Sequence, residues 1–470
     1  MTFKDYLEKL KNKRVAVIGA GISNMPLISA LLLAGVETTI RDMRTREEMR
    51  EAAARFEKQG AMLRLGDGYL DNLTEDIIFR TPGLMPRNPA LVDAVKRGAV
   101  LTSEMEVFFE VCPCKTIAIT GSDGKTTTTS IIAELLKNAG KTAYIGGNIG
   151  MPLLCKADDM QPEDFAVVEL SSFQLITMKK SPDIAVVTNL SPNHLDIHSD
   201  MNEYITAKSN IYLHQKKINR AVFNLDNEIT RELAKNAPAD EVLFFSRYDK
   251  TNKGVYLENG TIIESGNGIT APIMQAKDIL LPGIHNVENY MAAFAAVSGI
   301  VGHDVMHETA KSFRGVEHRI EFVRELRGVR YYNDSIASSP SRAIAGIRAL
   351  GEGSLVLIAG GKDKGIPFDE LGVEIVKNVK TLVLTGVAAS QINEAVLSAL
   401  EHTASDTERA ANNKLEIFHH DDFNEAIYTA SKAAKDGDIV LLSPACTSFD
   451  MFKNFEERGN KFKEIVNGLE

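Results

Sequence analysis

The segment Thr116-Ile117-Ala118-Ile119-Thr120-Gly121-Ser122-Asp123-Gly124-Lys125-Thr126-Thr127 constrains this chain more than any other. A β-branched apolar run stops at a glycine-rich turn and a helix follows from Thr126, the local order in which backbone N–H groups and a helix N-terminus face one anion. Lys125 is placed to reach terminal phosphates and the Thr126 hydroxyl to ligate Mg²⁺. The segment therefore predicts a nucleoside triphosphate site built from Gly121, Ser122, Asp123, Gly124, Lys125, Thr126 and Thr127. The pattern G-x-x-x-x-G-K-[ST] is incomplete, because Ile119 occupies its first glycine position. Taken alone, the stretch also fits an ordinary strand-turn-helix.

A chain of 470 residues exceeds one core, and at about 150 residues per domain it suggests three. Hydrophobic residues make up 44% and charged residues 25%, a globular balance. The excess of 63 Asp and Glu over 53 Lys and Arg argues against a nucleic-acid partner, though not against a local basic pocket for a phosphorylated ligand. Apolar runs fall short of the roughly 20 residues a membrane span needs. The opening Met1-Thr2-Phe3-Lys4-Asp5-Tyr6-Leu7 lacks the layout of a signal peptide, so a cytoplasmic protein is expected. Cys112, Cys114, Cys155 and Cys446 have the spacing neither of a disulfide framework nor of a zinc site, and are expected to be free thiols.

Along the chain, a strand Arg14–Ile18, the turn Gly19-Ala20-Gly21, a helix to about Leu33 and a strand Val36–Ile40 ending at Arg41-Asp42 form a βαβ unit. It resembles a dinucleotide fingerprint with Asn24 in place of the third glycine, and reads as a Rossmann-like fold without a nicotinamide. The turn Thr81-Pro82-Gly83 follows a strand at Asp76–Arg80 and forms a further loop at the same sheet edge.

In the second region, Glu169 ends the strand from Phe165, and His194 follows the strand from Asp183 to Asn189. Singly, Glu169 fits a helix cap and His194 a surface imidazole. Together, at strand ends beside a phosphate loop, they point to Mg²⁺. A helix from about Met201 to Lys217 puts Tyr204, Lys208, Ile211 and Tyr212 on one face, so Lys208 interrupts an apolar stripe; the plain reading is a snorkelling lysine. Residues 220–280 read as short strands with a hairpin at Asn259-Gly260, an antiparallel patch appended to the parallel sheet. His285-Asn286-Val287-Glu288-Asn289 opens the helix that closes this region.

The third region alternates strands at Val329, Ser354, Thr381, Leu415 and Asp438 with helices, a second parallel sheet. The fold class is α/β in three domains. These are a Rossmann-like domain at 1–111, a central P-loop ATPase-like parallel sheet with appended antiparallel strands at 112–315, and a Rossmann-like domain at 316–470.

The phosphate loop, Glu169-Leu170-Ser171-Ser172-Phe173-Gln174-Leu175, Asn193-His194-Leu195-Asp196, Ala207-Lys208, His285-Asn286, Glu317-His318-Arg319 and Ser443-Pro444-Ala445-Cys446 recur in one order. Together they resemble the Mur ligases of peptidoglycan synthesis. The resemblance spans all three regions. Phe173-Gln174 and Phe455-Glu456-Glu457-Arg458-Gly459 are similar to the branch that adds D-glutamate.

The resemblance implies that ATP phosphorylates the carboxylate of UDP-N-acetylmuramoyl-L-alanine and that D-glutamate then displaces phosphate, in a monomer acting on small molecules. It implies that Lys125 and the loop hold ATP, that Thr126, Glu169 and His194 ligate Mg²⁺, and that Lys208 is carbamylated by CO₂ and contributes at the metal. Asn286, Asn289, Arg319 and Asp334 match nucleotide-holding positions. Ser23, Asp42, Arg44 and Gly83 match the uridine end and Asn148 the diphosphate side. Ser338, Lys364, Ser448 and Phe455 match the D-glutamate pocket.

One departure stands out. After Asn333-Asp334-Ser335 the family continues Lys-Ala-Thr-Asn, whereas this chain has Ile336-Ala337-Ser338-Ser339-Pro340, losing a cation and gaining a rigid turn. Other readings are a Mur ligase or folylpolyglutamate synthase-like enzyme for a different amino acid, an NAD-dependent oxidoreductase resting on Gly19-Ala20-Gly21 and Asp42, and a nucleotide-binding module without turnover.

Overall fold

The computed structural model describes residues 1–194, 197–351, 354–363, 365–403 and 415–470. The chain forms two compact units, one of Met1–Asp278 with His285–Lys311 and the other of Ile279–Ile284 with Ser312–Glu470.

The first unit holds two sheets. Strands β1 (Arg14–Ile18), β2 (Glu37–Asp42), β3 (Met62–Leu65), β4 (Ile77–Phe79) and β5 (Val100–Thr102) run parallel in the order β3-β2-β1-β4-β5. The direction of winding reverses between β1 and β4, so a crevice opens beyond their carboxyl ends, where open α/β sheets take ligands. Asn24, in the third glycine's place, donates its side-chain amide to the carbonyls of Ile18 (3.2 Å) and Gly19 (2.9 Å), tying the helix start to the strand end.

The second sheet contains β6 (Lys115–Thr120), β7 (Ala143–Gly147), β8 (Phe165–Glu169), β9 (Ile184–Val187), β10 (Arg220–Asn224), β11 (Glu241–Ser246), β12 (Gly254–Glu258), β13 (Thr261–Gly266) and β14 (Ile269–Gln275). Their order is β14-β13-β12-β11-β10-β9-β6-β8-β7. Strands β8 and β9 are buried along their whole length, as helices on both faces of a parallel sheet require.

The antiparallel patch begins later than the sequence suggests. Strands β10 and β11 extend the parallel sheet, β12 still pairs parallel to β11, and only β12-β13 and β13-β14 are antiparallel. Asn259-Gly260 turns with both φ angles positive (49° and 77°), the type I′ geometry that suits strand twist, and Asn267-Gly268 repeats it (52° and 78°). The helix from Met201 stops at Leu213 rather than Lys217, where Gln215 donates its side-chain amide to the carbonyls of Pro182 (3.0 Å) and Arg220 (2.7 Å).

The second unit carries one sheet of β15 (Glu321–Leu326), β16 (Val329–Asn333), β17 (Leu355–Gly360), β18 (Val379–Thr385), β19 (Glu416–His420) and β20 (Ile439–Leu442), in the order β15-β16-β20-β17-β18-β19. All neighbours are parallel except the hairpin β15-β16, which the sequence reading did not include. Apolar layers cover both faces. Among the described residues, no helix is long and apolar enough to cross a membrane.

A buried ion pair stiffens the first sheet. Arg41, 3% exposed, meets both carboxylate oxygens of Glu75 at 3.0 and 3.1 Å and also donates to the carbonyls of Tyr69, Asp71 and Asn72. Arg41→Met strands a buried carboxylate and three carbonyls, and is expected to destabilise by about 3–5 kcal/mol. Arg41→Met with Glu75→Leu is expected to recover part of that loss. Urea midpoints of the two variants check the order.

Candidate active site

β6 delivers the phosphate loop, and the helix Lys125–Asn138 leaves it. Ile119 lies fully buried inside β6, its carbonyl accepting from the Leu170 N–H at 2.8 Å, so the tight turn starts at Gly121 and asks for no glycine earlier. Gly121 and Gly124 have φ of 152° and 78°. A Cβ at Gly121 would lie 1.9 Å from Thr188 Oγ1, and one at Gly124 would lie 2.3 Å from Asn289 Oδ1. The loop therefore needs both glycines for space as well as for conformation.

Residues far along the chain hold it. Thr188 Oγ1 donates to the Asp123 carbonyl at 2.6 Å, Asn189 Oδ1 accepts the Asp123 N–H at 2.9 Å, and the Ser122 hydroxyl meets the Ser191 carbonyl and the Tyr204 hydroxyl, each at 3.0 Å. Thr128 Oγ1 donates to Asn289 Oδ1 at 3.3 Å and Asn289 Nδ2 to Asn286 Oδ1 at 3.1 Å, bringing both asparagines against the loop. Thr127, next along the helix, is half-buried.

Three of the expected catalytic groups converge here. Lys125 Nζ donates to the carbonyls of Gly121 and Ser122, each at 2.8 Å. Glu169, 1% exposed, accepts the Thr126 hydroxyl at 2.7 Å on one oxygen and Asn148 Nδ2 at 2.8 Å on the other. Lys208, 2% exposed, donates to the Gly121 carbonyl at 2.8 Å and the Thr120 hydroxyl at 3.1 Å, with its ammonium 4.9 Å from the Tyr204 ring centroid. It does not snorkel. Burial, and then the charge of Lys125, pull its pKa well below the ordinary lysine value, outweighing Glu169 and Asp123.

Among the described residues no three His, Cys, Asp or Glu side chains cluster as a ready metal cage. A carboxylate beside a hydroxyl still fits Mg²⁺, which takes one or two protein oxygens and completes its shell with substrate phosphates and water.

His194 is exposed, with φ of 56°, and its ring stands edge-on to Phe173 at 5.2 Å. The other face of this cluster is His198, which the sequence reading passed over. It is 2% exposed, stacks on Phe173 at 5.2 Å, and bridges Ser172 Oγ (2.9 Å) and Glu203 Oε2 (3.2 Å). Its place in the sequence, between Ile197 and Ser199, carries no pattern that sets it apart.

At the first sheet, Asp42 accepts the N–H groups of Ala20 (2.8 Å) and Arg44 (2.9 Å) and the Arg44 guanidinium (2.7 Å). Burial pushes its carboxyl up, but the Arg44 bonds and the two N–H groups hold it below the usual range. Ser23 is half-buried just before the helix Asn24–Leu33, and Gly83 is exposed in the loop after β4. These residues lie at or just after the carboxyl ends of β1, β2 and β4. Asn148 instead lies against Glu169.

In the second unit, Asp334 is 4% exposed and accepts the Ser443 hydroxyl at 2.8 Å; burial raises its pKa to about 7 against that bond, the Ile320 N–H and the charges of Arg319 and Arg342. His318 meets Asn333 Nδ2 at 3.0 Å and lies edge-on to Phe455 at 5.9 Å. Ser448 is buried, and Ser338 is half-buried just before the helix Pro340–Leu350. Lys364 lies outside the described residues. Arg458, which the sequence reading quoted only within a motif, is the organiser: 3% exposed, it donates to Ser335 Oγ (3.0 Å) and to the carbonyls of Ser335, Cys446 and Thr447 (2.9–3.2 Å).

Residues 119–297 match the family described as Mur ligase middle domain, and residues 318–446 the Mur ligase, glutamate ligase domain. The UDP-N-acetylmuramoylalanine--D-glutamate ligase of Clostridium novyi (strain NT) is 50% identical over 469 residues, covering 100% of this chain and 99% of that protein. The protein of the same name from Ruminiclostridium cellulolyticum is 48% identical over 467 residues, covering 99% of each. Among solved structures, UDP-N-acetylmuramate-alanine ligase MurC from Thermotoga maritima shares the fold at a TM-score of 0.55 and 18% identity, covering 97% of this chain and 100% of that one.

Because Lys208 is pulled down from 10.5, between its folded value and 10.5 the unfolded chain holds a proton that the folded chain lacks. Stability from this residue rises with pH across that window, by at most about 1.4 kcal/mol per pH unit. In CO₂-free buffer, Lys208→Met is expected to remove this slope. Urea unfolding of both proteins at several alkaline pH values reads the difference.

Proposed function

The chain belongs to the Mur ligase family, and from that premise we propose that it is the ATP-dependent ligase that adds D-glutamate to UDP-N-acetylmuramoyl-L-alanine in peptidoglycan synthesis. The observation that carries this reading is full-length identity with relatives named for that reaction. A carboxylate is a poor electrophile, so it first takes the γ-phosphoryl group of ATP, releasing ADP. The D-glutamate amine then attacks the acyl carbon, inorganic phosphate leaves, and the amide remains. Phosphoryl transfer of this kind asks for positioned charge more than for covalent help.

Lys125 and the loop Gly121–Thr127 hold the ATP phosphates. Asn286 and Asn289 hold the nucleotide; Arg319 and Asp334 match nucleotide-holding positions of the family. Thr126, Glu169 and His194 would hold Mg²⁺, which when bound neutralises charge on the phosphoryl oxygens. Ser23, Asp42, Arg44 and Gly83 receive the uridine end and Asn148 the diphosphate side. Ser338, Lys364, Ser448 and Phe455 receive D-glutamate. The enzyme acts as a cytoplasmic monomer.

Lys208 is proposed to work as a carbamate. Its neutral amine adds to CO₂, forming an N–C bond and releasing one proton, so that an anion replaces a cation beside Glu169. Burial beside a second lysine favours the neutral amine that this addition needs.

Purified protein with UDP-N-acetylmuramoyl-L-alanine is expected to release ADP with D-glutamate, and at under about one hundredth of that rate with L-glutamate. Faster turnover with another amino acid would reassign the chain to a different ligase of the superfamily. Lys208→Ala is expected to lose at least about 100-fold in kcat and to regain part of it with added short carboxylic acids. Stripping CO₂ and bicarbonate is expected to slow the wild type; indifference to both treatments would return Lys208 to a structural role.

A further inference from the structure

The loop after β4 carries a buried arginine that the proposed chemistry does not use. Arg80 is 1% exposed. Its Nη1 faces the carbonyls of Thr81, Pro82 and Leu84 at 3.3–3.4 Å, gathering the loop around itself. Its Nη2 reaches the short helix Ser172–Leu175 that follows β8 and the turn after it, donating to the Phe173 carbonyl at 2.6 Å and to Thr177 Oγ1 at 3.0 Å. The Thr177 hydroxyl in turn donates to Glu106 Oε2 at 3.3 Å. Burying a guanidinium is costly unless its acceptors are fixed, so this span ties the loop after β4 to the segment after β8.

Both ends of the span lie where ligands are expected. Thr81 packs against Gly19, its Cβ 3.1 Å from where a Gly19 Cβ would stand, at the carboxyl ends of β1 and β4 where the winding reverses. Phe173, at the other end, stacks its ring on His198 and stands edge-on to His194. A shift of the Phe173 backbone therefore moves the seat of both imidazoles.

We propose that Arg80 is a positioning residue: it fastens loop 81–84 to Phe173, so that seating the UDP end of the substrate and fixing His194 become one event. The inference rests on the assignment of the uridine end to the first sheet and of His194 to Mg²⁺. It touches no reacting atom. The same loop offers a control, because Arg87 also reaches across, binding Glu203 at 2.9 Å and the Ile197 carbonyl, but is half exposed and exposed pairs contribute little.

The test compares wild type, Arg80→Met, Arg80→Lys and Arg87→Ala. Arg80→Met is expected to raise both KM for UDP-N-acetylmuramoyl-L-alanine and the Mg²⁺ concentration at half-maximal rate about tenfold, with ATP affinity in the absence of that substrate within about twofold. Arg80→Lys should fall between, and Arg87→Ala within about twofold of wild type. In wild type, the UDP substrate alone should slow amide exchange at residues 171–177, and in Arg80→Lys this protection should weaken.

Lower thermal stability of Arg80→Met with every KM unchanged would overturn the proposal in favour of a structural role. A raised substrate KM with unmoved Mg²⁺ dependence and exchange would overturn it in favour of a role confined to the loop. Should Arg80→Met fail to fold, Arg80→Lys and wild-type exchange decide, and unchanged exchange at 171–177 on adding the substrate overturns it. Failure of the functional reading is separate, since it appears in wild type as ADP release that ignores the UDP substrate.

Discussion

Two lysine ammonium groups meet at one carbonyl oxygen, that of Gly121, each at 2.8 Å. Burial first, and then the nearby charge of Lys125, draw Lys208 toward its neutral form. Everything around the phosphate loop serves that geometry. Thr188, Asn189 and Asn289 fix the turn from outside, Glu169 faces Thr126, and the helix face that carries Lys208 is held by Tyr204 against Ser122. An anion brought to this loop meets groups that are already fixed in place.

The parts of this arrangement that are local in sequence were legible. A strand, two glycines, Lys125 and Thr126 announce their geometry within twelve residues, and β8 and β9 announce Glu169 and the loop of His194 by their continuous apolar runs. The missing first glycine was a false alarm, because Ile119 is a strand residue. The onset of the antiparallel patch was misplaced for a physical reason: short alternating strands look alike whether their neighbour runs parallel or antiparallel, and only pairing decides.

Buried arginines were the least legible feature. Arg41, Arg80 and Arg458 look in sequence like any surface charge, yet each is enclosed and spends its donors on carbonyls of distant loops. Nothing in composition or periodicity distinguishes such a residue, since its acceptors are backbone groups without a sequence signature. His198 was hidden for a different reason: one of its side-chain partners, Ser172, lies 26 residues earlier, beyond β9. In the second unit, Arg458 does for the Ser335 and Cys446 loops what Thr188 and Asn189 do for the phosphate loop: it turns flexible connections into a fixed surface.

The pinning of the phosphate loop by remote residues also sets a clock on synthesis. Thr128 meets the Asn289 side chain across 161 residues of chain, and at about 5–20 residues per second a ribosome needs on the order of 10–30 s to bridge that interval. Until Asn289 has emerged, the nascent loop lacks one of its fasteners. The hydrogen bonds of this loop therefore cannot all form until residues near the end of the first compact unit have been made.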